Sequence, residues 1–209
     1  MQKKFDYSGA IHPDFGDYTI KDDIIITPLW TEEFCKQMID LVESRPDVME
    51  KSYDDAQMFP LNELNVDLLR QFASHYKSGI LQMLKKEWML RFSHPRVDIP
   101  GLFTPFFLRY RMDQCRELGL HTDSGIVSMS LKCNSDYEGC DLTLPRQKFS
   151  AKDVPTGCAI FWPGLLTHPH YVTPLTSGVK YSFSSFACPP DQFTNPYGLY
   201  FKYVDAQVF

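Results

Sequence analysis

Not one Cys-x-x-Cys pair occurs in this 209-residue chain, although it carries six cysteines, at positions 35, 115, 133, 140, 158 and 188. The missing spacing excludes the common cysteine zinc sites. No window approaches the eighteen consecutive apolar residues of a membrane-spanning helix, so no membrane role is expected. Met1-Gln-Lys-Lys-Phe-Asp-Tyr lacks the apolar core of a secretory signal. The expectation is therefore a cytoplasmic protein with reduced thiols, not a disulfide framework. Charge of one sign never accumulates: 21 Lys and Arg stand against 26 Asp and Glu. Without a basic stripe there is no footprint for a phosphate backbone, which argues against nucleic acid as a partner. Repeats and low-complexity linkers are also missing. The chain therefore reads as one domain, 1–209, with a strand and helices in 1–100, a β-rich core in 101–190 and an extension in 191–209.

What is present is aromatic and β-prone. Sixteen Phe and eleven Tyr suit the interior of a sheet protein. Tyr18-Thr-Ile-Lys-Asp-Asp-Ile-Ile-Ile-Thr predicts a single entry strand stopped by Pro28. Thr31 is placed to cap a helix whose first turn carries Glu32 and Glu33. Phe34, Met38, Leu41 and Val42 give that helix one apolar face, and Pro46 ends it. Residues 47–60 show no period and read as a loop. A second helix is expected from Asn62 or Asn65 to about Trp88, on the spacing of Leu68, Leu69, Phe72, Tyr76, Ile80, Met83 and Leu84, with Gly79 as a weak point. Pro95 and Pro100 mark a turn region.

Short β runs then follow, beginning at Thr104, Ile126, Cys140, Cys158 and Tyr181, separated by Gly, Pro, Asn and Asp. Several short strands at that spacing indicate a sandwich or barrel. The predicted class is α+β, mainly β: a double-stranded β-helix (jelly roll, cupin-like) with the N-terminal helices packed on one sheet.

Within this core, His121-Thr-Asp123 places an imidazole and a carboxylate on one face of an extended segment, because strand side chains alternate. With His170 these residues form a two-histidine, one-carboxylate set of the kind that holds non-haem Fe(II) and leaves coordination positions open. His168 shares a side of the extended segment with His170 and is the alternative third ligand. Lys180 follows His170 by ten residues, with Pro174 and Gly178 as turn residues that would return the chain along a neighbouring strand. A dicarboxylate needs a metal at one end and a cation with hydroxyl donors at the other. Lys180, Ser182 two residues on, and a tyrosine can supply the second end.

His121-Thr-Asp, Gly157-Cys-Ala-Ile-Phe-Trp-Pro-Gly and the run from His170 to Ser182 resemble the Fe(II)/2-oxoglutarate dioxygenases, nearest the prolyl 4-hydroxylase and procollagen-type lysyl hydroxylase branch. Phe107-Leu-Arg-Tyr110-Arg, Asp136-Tyr-Glu-Gly139-Cys-Asp-Leu and Leu166-Thr-His-Pro-His170 carry the same resemblance, which spans about residues 105–187. It implies that His121, Asp123 and His170 are catalytic iron ligands, and that Lys180 binds the distal carboxylate of 2-oxoglutarate. It further implies that Tyr110 and Ser182 touch the same co-substrate. The family's commonest residue at position 180 is Arg; prolyl 4-hydroxylases use Lys, a point charge in place of a fork. Halogenating relatives replace the carboxylate at position 123, so Asp123 implies hydroxylation. The implied reaction takes O2 and 2-oxoglutarate, with ascorbate as reductant, and releases succinate and CO2.

The substrate is read less sharply. An amino-acid side chain, free or as peptidyl Pro or Lys, is the first expectation, and a small natural product or other metabolite the second. Glu117, Asp136 and Glu138 would suit a cationic substrate if they stood near the mouth. Residues 47–60, including Tyr53, and 114–120 are candidate lid segments. A non-catalytic metal-binding jelly-roll protein is the alternative from another class; it would need no Lys180–Ser182 anchor. The sequence sets no oligomeric state.

Overall fold

Asp22 and Asp23 both adopt positive φ, 49° and 67°, the pair of left-handed residues that a tight hairpin turn demands. The expected entry strand is consequently two strands, β1 (Thr19–Lys21) and β2 (Ile24–Pro28), paired antiparallel. The computed structural model describes residues 4–51, 55–88 and 101–188. The turn region at Pro95 and Pro100, Tyr53 and the extension 191–209 lie outside those residues.

Helix α1 (Glu32–Glu43) begins where Thr31 accepts a hydrogen bond from the Phe34 amide, and it buries Phe34, Cys35, Met38 and Val42. A 3-10 turn, Pro46–Val48, follows it. Residues 47–60 are not simply a loop. They supply β3 (Glu50–Lys51) and β4 (Gln57–Pro60), whose apolar centre Met58-Phe59 is buried. The expected second helix is three pieces: α2 (Leu61–Leu64), α3 (Val66–His75) and α4 (Leu81–Glu87). Asn65 interrupts the first junction because its side chain caps α3 at the Leu68 amide. A π-helical turn, Tyr76–Ile80, widens the second. Gly79 sits in that turn, where a Cβ would come within 2.9 Å of His75.

The remaining strands are β5 (Gly101–Leu102), β6 (Phe106–Arg111), β7 (Leu118–His121), β8 (Val127–Lys132), β9 (Tyr137–Gly139), β10 (Leu142–Leu144), β11 (Phe149–Ser150), β12 (Cys158–Pro163), β13 (His170–Val172) and β14 (Leu175–Cys188). They form two antiparallel sheets. The larger runs β1-β2-β12-β8-β14-β6-β4-β3, with β5 and β9 also on β14; the smaller runs β11-β10-β13-β7. This is a jelly roll with helices laid on the outer face of the larger sheet. Among the described residues, no helix is long and apolar enough to cross a membrane.

Alternation along each central strand divides the core. Ala159 and Phe161 of β12 face the helices, whereas Ile160 and Trp162 face the smaller sheet. The helix side closes on a ring cluster in which Trp30 lies 4.6 Å from Phe183 and Phe72 lies 5.0 Å from Phe183, centroid to centroid. Each fully buried ring contributes roughly 1.5–3 kcal/mol. That cluster makes the larger sheet a rigid back wall. The inner faces of β6, β8, β12 and β14 are left to line the space between the sheets.

Candidate active site

The first side chain of that space is His121, the last residue of β7. Its strand partner is His170, the first residue of β13, and the two rings stand 4.3 Å apart between centroids. Asp123 lies just beyond β7. Its main-chain carbonyl accepts from the Leu165 amide at 2.8 Å, and Oδ2 accepts from the Ser128 hydroxyl at 2.6 Å. His170 Nε2 is then 3.5 Å from Asp123 Oδ2, and His121 Nε2 is 3.8 Å from Asp123 Oδ1. One donor atom from each of the three lies within 4.8 Å of the others.

The outer nitrogens fix the tautomers. His121 Nδ1 is 2.7 Å from the Gly119 carbonyl, and His170 Nδ1 is 3.1 Å from the His168 carbonyl. A carbonyl only accepts, so each Nδ1 carries the proton and each Nε2 presents a lone pair inward. Burial lowers the His170 pKa, against the opposing pull of Asp123, which favours the neutral imidazole a metal requires. By donor type, tautomer and convergence, this set fits Fe(II).

The three residues line one cavity between the sheets. Its deep end holds Lys180, 6% exposed, whose Nζ donates to the Cys140 carbonyl at 2.6 Å and lies 5.3 Å from the centroid of Tyr110. Tyr110 and Lys180 are direct partners across β6 and β14. Desolvation lowers the Lys180 pKa, and no described carboxylate lies within ion-pair distance of its ammonium. Ser182, 3% exposed, points the same way one step along β14. All six residues singled out from the sequence therefore line one cavity.

Several sequence expectations about this site need correction. Lys180 does not return on the strand beside His170. β13 belongs to the smaller sheet and β14 to the larger, so the two residues face each other across the cavity. Gly178 lies within β14, at positive φ opposite Tyr137, rather than in a turn. Residues 118–120 are in the ligand-bearing strand β7 and residues 57–60 pair with β6, so neither stretch is a free lid. His168 turns away: its Nε2 reaches the Asp22 carbonyl at 3.3 Å and its ring lines a separate groove. Only its carbonyl serves the site, through His170. Glu117, Asp136 and Glu138 do not line the cavity.

Sequence reasoning missed Ser128, which holds Asp123, and Trp162, whose ring meets His170 edge-on at 5.0 Å. It also missed Ser130 and Ser184 on the cavity wall. The signal was the small-polar alternation in Ile126-Val-Ser-Met-Ser-Leu, legible only when the inward face of β8 is known.

No family model matches the chain. Mouse procollagen-lysine,2-oxoglutarate 5-dioxygenase 1 is 23% identical over 179 residues, covering 80% of this chain and 24% of its own length. The rat multifunctional procollagen lysine hydroxylase and glycosyltransferase is 28% identical over 181 residues, with the same two coverages. The chain thus spans about a quarter of the length of these curated relatives. Among solved structures, the Paramecium bursaria Chlorella virus-1 collagen prolyl hydroxylase in its 2OG complex superposes with a TM-score of 0.56 at 14% identity, covering 79% of this chain and 96% of that one. A Pseudomonas putida prolyl-4-hydroxylase gives 0.57 at 14%, covering 79% and 92%.

Proposed function

We propose that this chain, which shares the jelly-roll fold of the prolyl hydroxylases and sequence similarity with the procollagen-lysine dioxygenases, is an Fe(II)- and 2-oxoglutarate-dependent hydroxylase of an amino-acid side chain. One observation carries the reading. Two inward-facing Nε2 atoms and a carboxylate share a cavity with a buried lysine that has no carboxylate partner among the described residues. His121, Asp123 and His170 would hold the iron. Lys180, with Tyr110 and Ser182, would hold the far carboxylate of 2-oxoglutarate. When bound, the metal supplies oxygen activation coupled to decarboxylation of the co-substrate to succinate and CO2.

The chain's own residues prepare that chemistry. The carbonyls of Gly119 and His168 hold both imidazoles in the Nδ1–H tautomer and orient them. Ser128 fixes the Asp123 rotamer. Leu108, Leu118, Leu142 and Val172 line the walls and exclude water from the reacting centre. With Asp123 present, no position is set aside for a halide, and hydroxylation is the outcome.

Exposed leucines beside the site residues in the chain favour peptidyl Pro or Lys over a free amino acid. Leu120 is 65% exposed and precedes His121; Leu166 is 83% exposed and lies one residue past the amide bonded to Asp123. Exposed leucines this near in sequence to the metal set offer apolar surface that an extended peptide can cover and a free amino acid cannot.

The test is succinate release with Fe(II), ascorbate and O2, followed by mass spectrometry for products carrying one added oxygen, across peptides and free amino acids. Asp123→Ala is expected to abolish turnover and metal retention while leaving the circular dichroism spectrum unchanged. Full activity in that variant would move the metal elsewhere.

A further inference from the structure

The cavity floor carries two hydroxyls that the reading above leaves unused. Strand β14 sends Lys180, Ser182, Ser184 and Phe186 inward, and β8 sends Ser130. Ser130 and Ser184 are direct antiparallel partners. Ser184 is 6% exposed and Ser182 3%. The hydroxyls of Ser130, Ser182 and Ser184 make no hydrogen bond to another described residue, nor are they sealed in the protein as the indole nitrogen of Trp162 is. Ser185, which faces the opposite way, does find a partner, the Met129 sulfur at 3.9 Å. A hydroxyl that opens onto the cavity and has no protein partner is free to donate to a ligand there.

Register fixes where the pair stands between the two ends of the site. Ser128, which holds Asp123, is two residues before Ser130 on β8. Lys180 is four residues before Ser184 on β14, about 13 Å of strand. Ser130 and Ser184 therefore lie one row of side chains from the metal set and two rows from Lys180. A ligand anchored at Lys180 and reaching the triad lays its triad-side oxygens over them. Lys180 is the only Lys or Arg among the described lining residues, so the second carboxylate of a dicarboxylate depends on metal and neutral donors.

We propose that Ser130 and Ser184 form a cross-strand hydroxyl pair that donates hydrogen bonds to the 2-oxo-acid end of the co-substrate, while Lys180 and Ser182 hold its far carboxylate. The proposal rests on the reading that this cavity takes 2-oxoglutarate. It divides the site into two ends that separate probes can address.

The experiment measures equilibrium binding to the protein loaded with Zn(II) in place of Fe(II), so that no turnover is needed. Three probes are titrated: 2-oxoglutarate, pyruvate (the 2-oxo-acid end alone) and succinate (which lacks the oxo group). Ser130→Ala and Ser184→Ala are each expected to weaken 2-oxoglutarate and pyruvate about threefold to fivefold, and the double variant about tenfold or more. Both leave succinate unchanged. Ser184→Thr, which keeps the hydroxyl, restores wild-type binding and controls for altered packing. Lys180→Ala shows the converse pattern, weakening 2-oxoglutarate and succinate but not pyruvate. Pyruvate binding that ignores both serines, pyruvate that fails to bind the wild type, or succinate that weakens in step with it overturns the assignment. If the wild type binds 2-oxoglutarate under those outcomes, only the hydroxyl pair is refuted; if it binds none of the three probes, the co-substrate reading itself fails.

Discussion

Replacing Lys180 by Met should stabilise the ligand-free protein while removing co-substrate binding. Lys180 is 6% exposed, and the compensations of its ammonium are one carbonyl bond, to Cys140 at 2.6 Å, and the rings of Tyr110 and Tyr137 at 5.3 and 6.0 Å. Burying such a charge costs several kcal/mol. A charge-assisted hydrogen bond returns about 1.5–3 kcal/mol and a cation–π contact about 1 kcal/mol. Methionine of similar length removes the burial cost and leaves the Cys140 carbonyl unsatisfied, a loss of about 1–3 kcal/mol. These terms nearly cancel, and the depressed Lys180 pKa shows that burial outweighs its compensations, so the net expectation is a gain of about 1 kcal/mol, or about 2–4 °C in Tm for a chain of this size. The pH dependence carries a sign of its own. Burial depresses the Lys180 pKa below its ordinary 10.5. Between the folded and unfolded values the unfolded chain binds more protons, so wild-type stability rises with pH there. Buried thiols pull the other way, since Cys140 is pushed up to about 11 and Cys133 and Cys158 are also raised. Lys180 itself holds the Cys140 and Cys133 thiols down, so in the variant they rise further, and the Met variant's advantage should shrink all the more from neutral pH toward 10.5. Added 2-oxoglutarate at a hundred times its Kd should stabilise the metal-loaded wild type by about 2.7 kcal/mol and the variant hardly at all, reversing their order. Thermal melts across pH, with and without ligand, measure all of this. A ligand-free variant less stable than wild type by more than about 1 kcal/mol would mean that the ammonium is already well paired, and the reasoning would fail.

Two further predictions concern the frame that holds the site. Gly157 has φ +84°, and a Cβ there would stand 2.1 Å from the Trp30 carbonyl; Gly157→Ala should cost about 3 kcal/mol or more and lower the urea midpoint sharply. Thr31→Ala removes the acceptor of the Phe34 amide and should cost about 1 kcal/mol in the same measurement, with binding of 2-oxoglutarate unchanged.

What the sequence revealed, and what it hid, follows from the range of the interactions involved. The first helix was legible because its signals are local: Thr31 caps it and Phe34, Met38 and Val42 share a face. The break at Asp22-Asp23 was hidden because β-branched residues flank it on both sides, with no Gly or Asn to mark a turn. β4 was hidden because it is made by pairing with β6, about fifty residues away, rather than by its own propensity. β7 and β13 are four and three residues long, too short to show an alternation.

The candidate site was legible in its chemistry but not in its topology. A ten-residue step from His170 to Lys180 is compatible with a hairpin that sets the two side by side in one sheet. It is equally compatible with a crossing from one sheet to the other, and the chain takes the crossing between β13 and β14. The distinction has a physical consequence. Side by side, metal and cation would be fixed by one ladder of hydrogen bonds, and their separation would be indifferent to how the sheets pack. Opposed across the cavity, their separation is set by the inner core of Leu142, Leu144, Ile160, Trp162 and Val172 that spaces the sheets. A ligand gripping both ends therefore ties the two sheets together. Residues of that core with no contact to the ligand can then change its affinity through sheet spacing alone, as spacing within one strand could not.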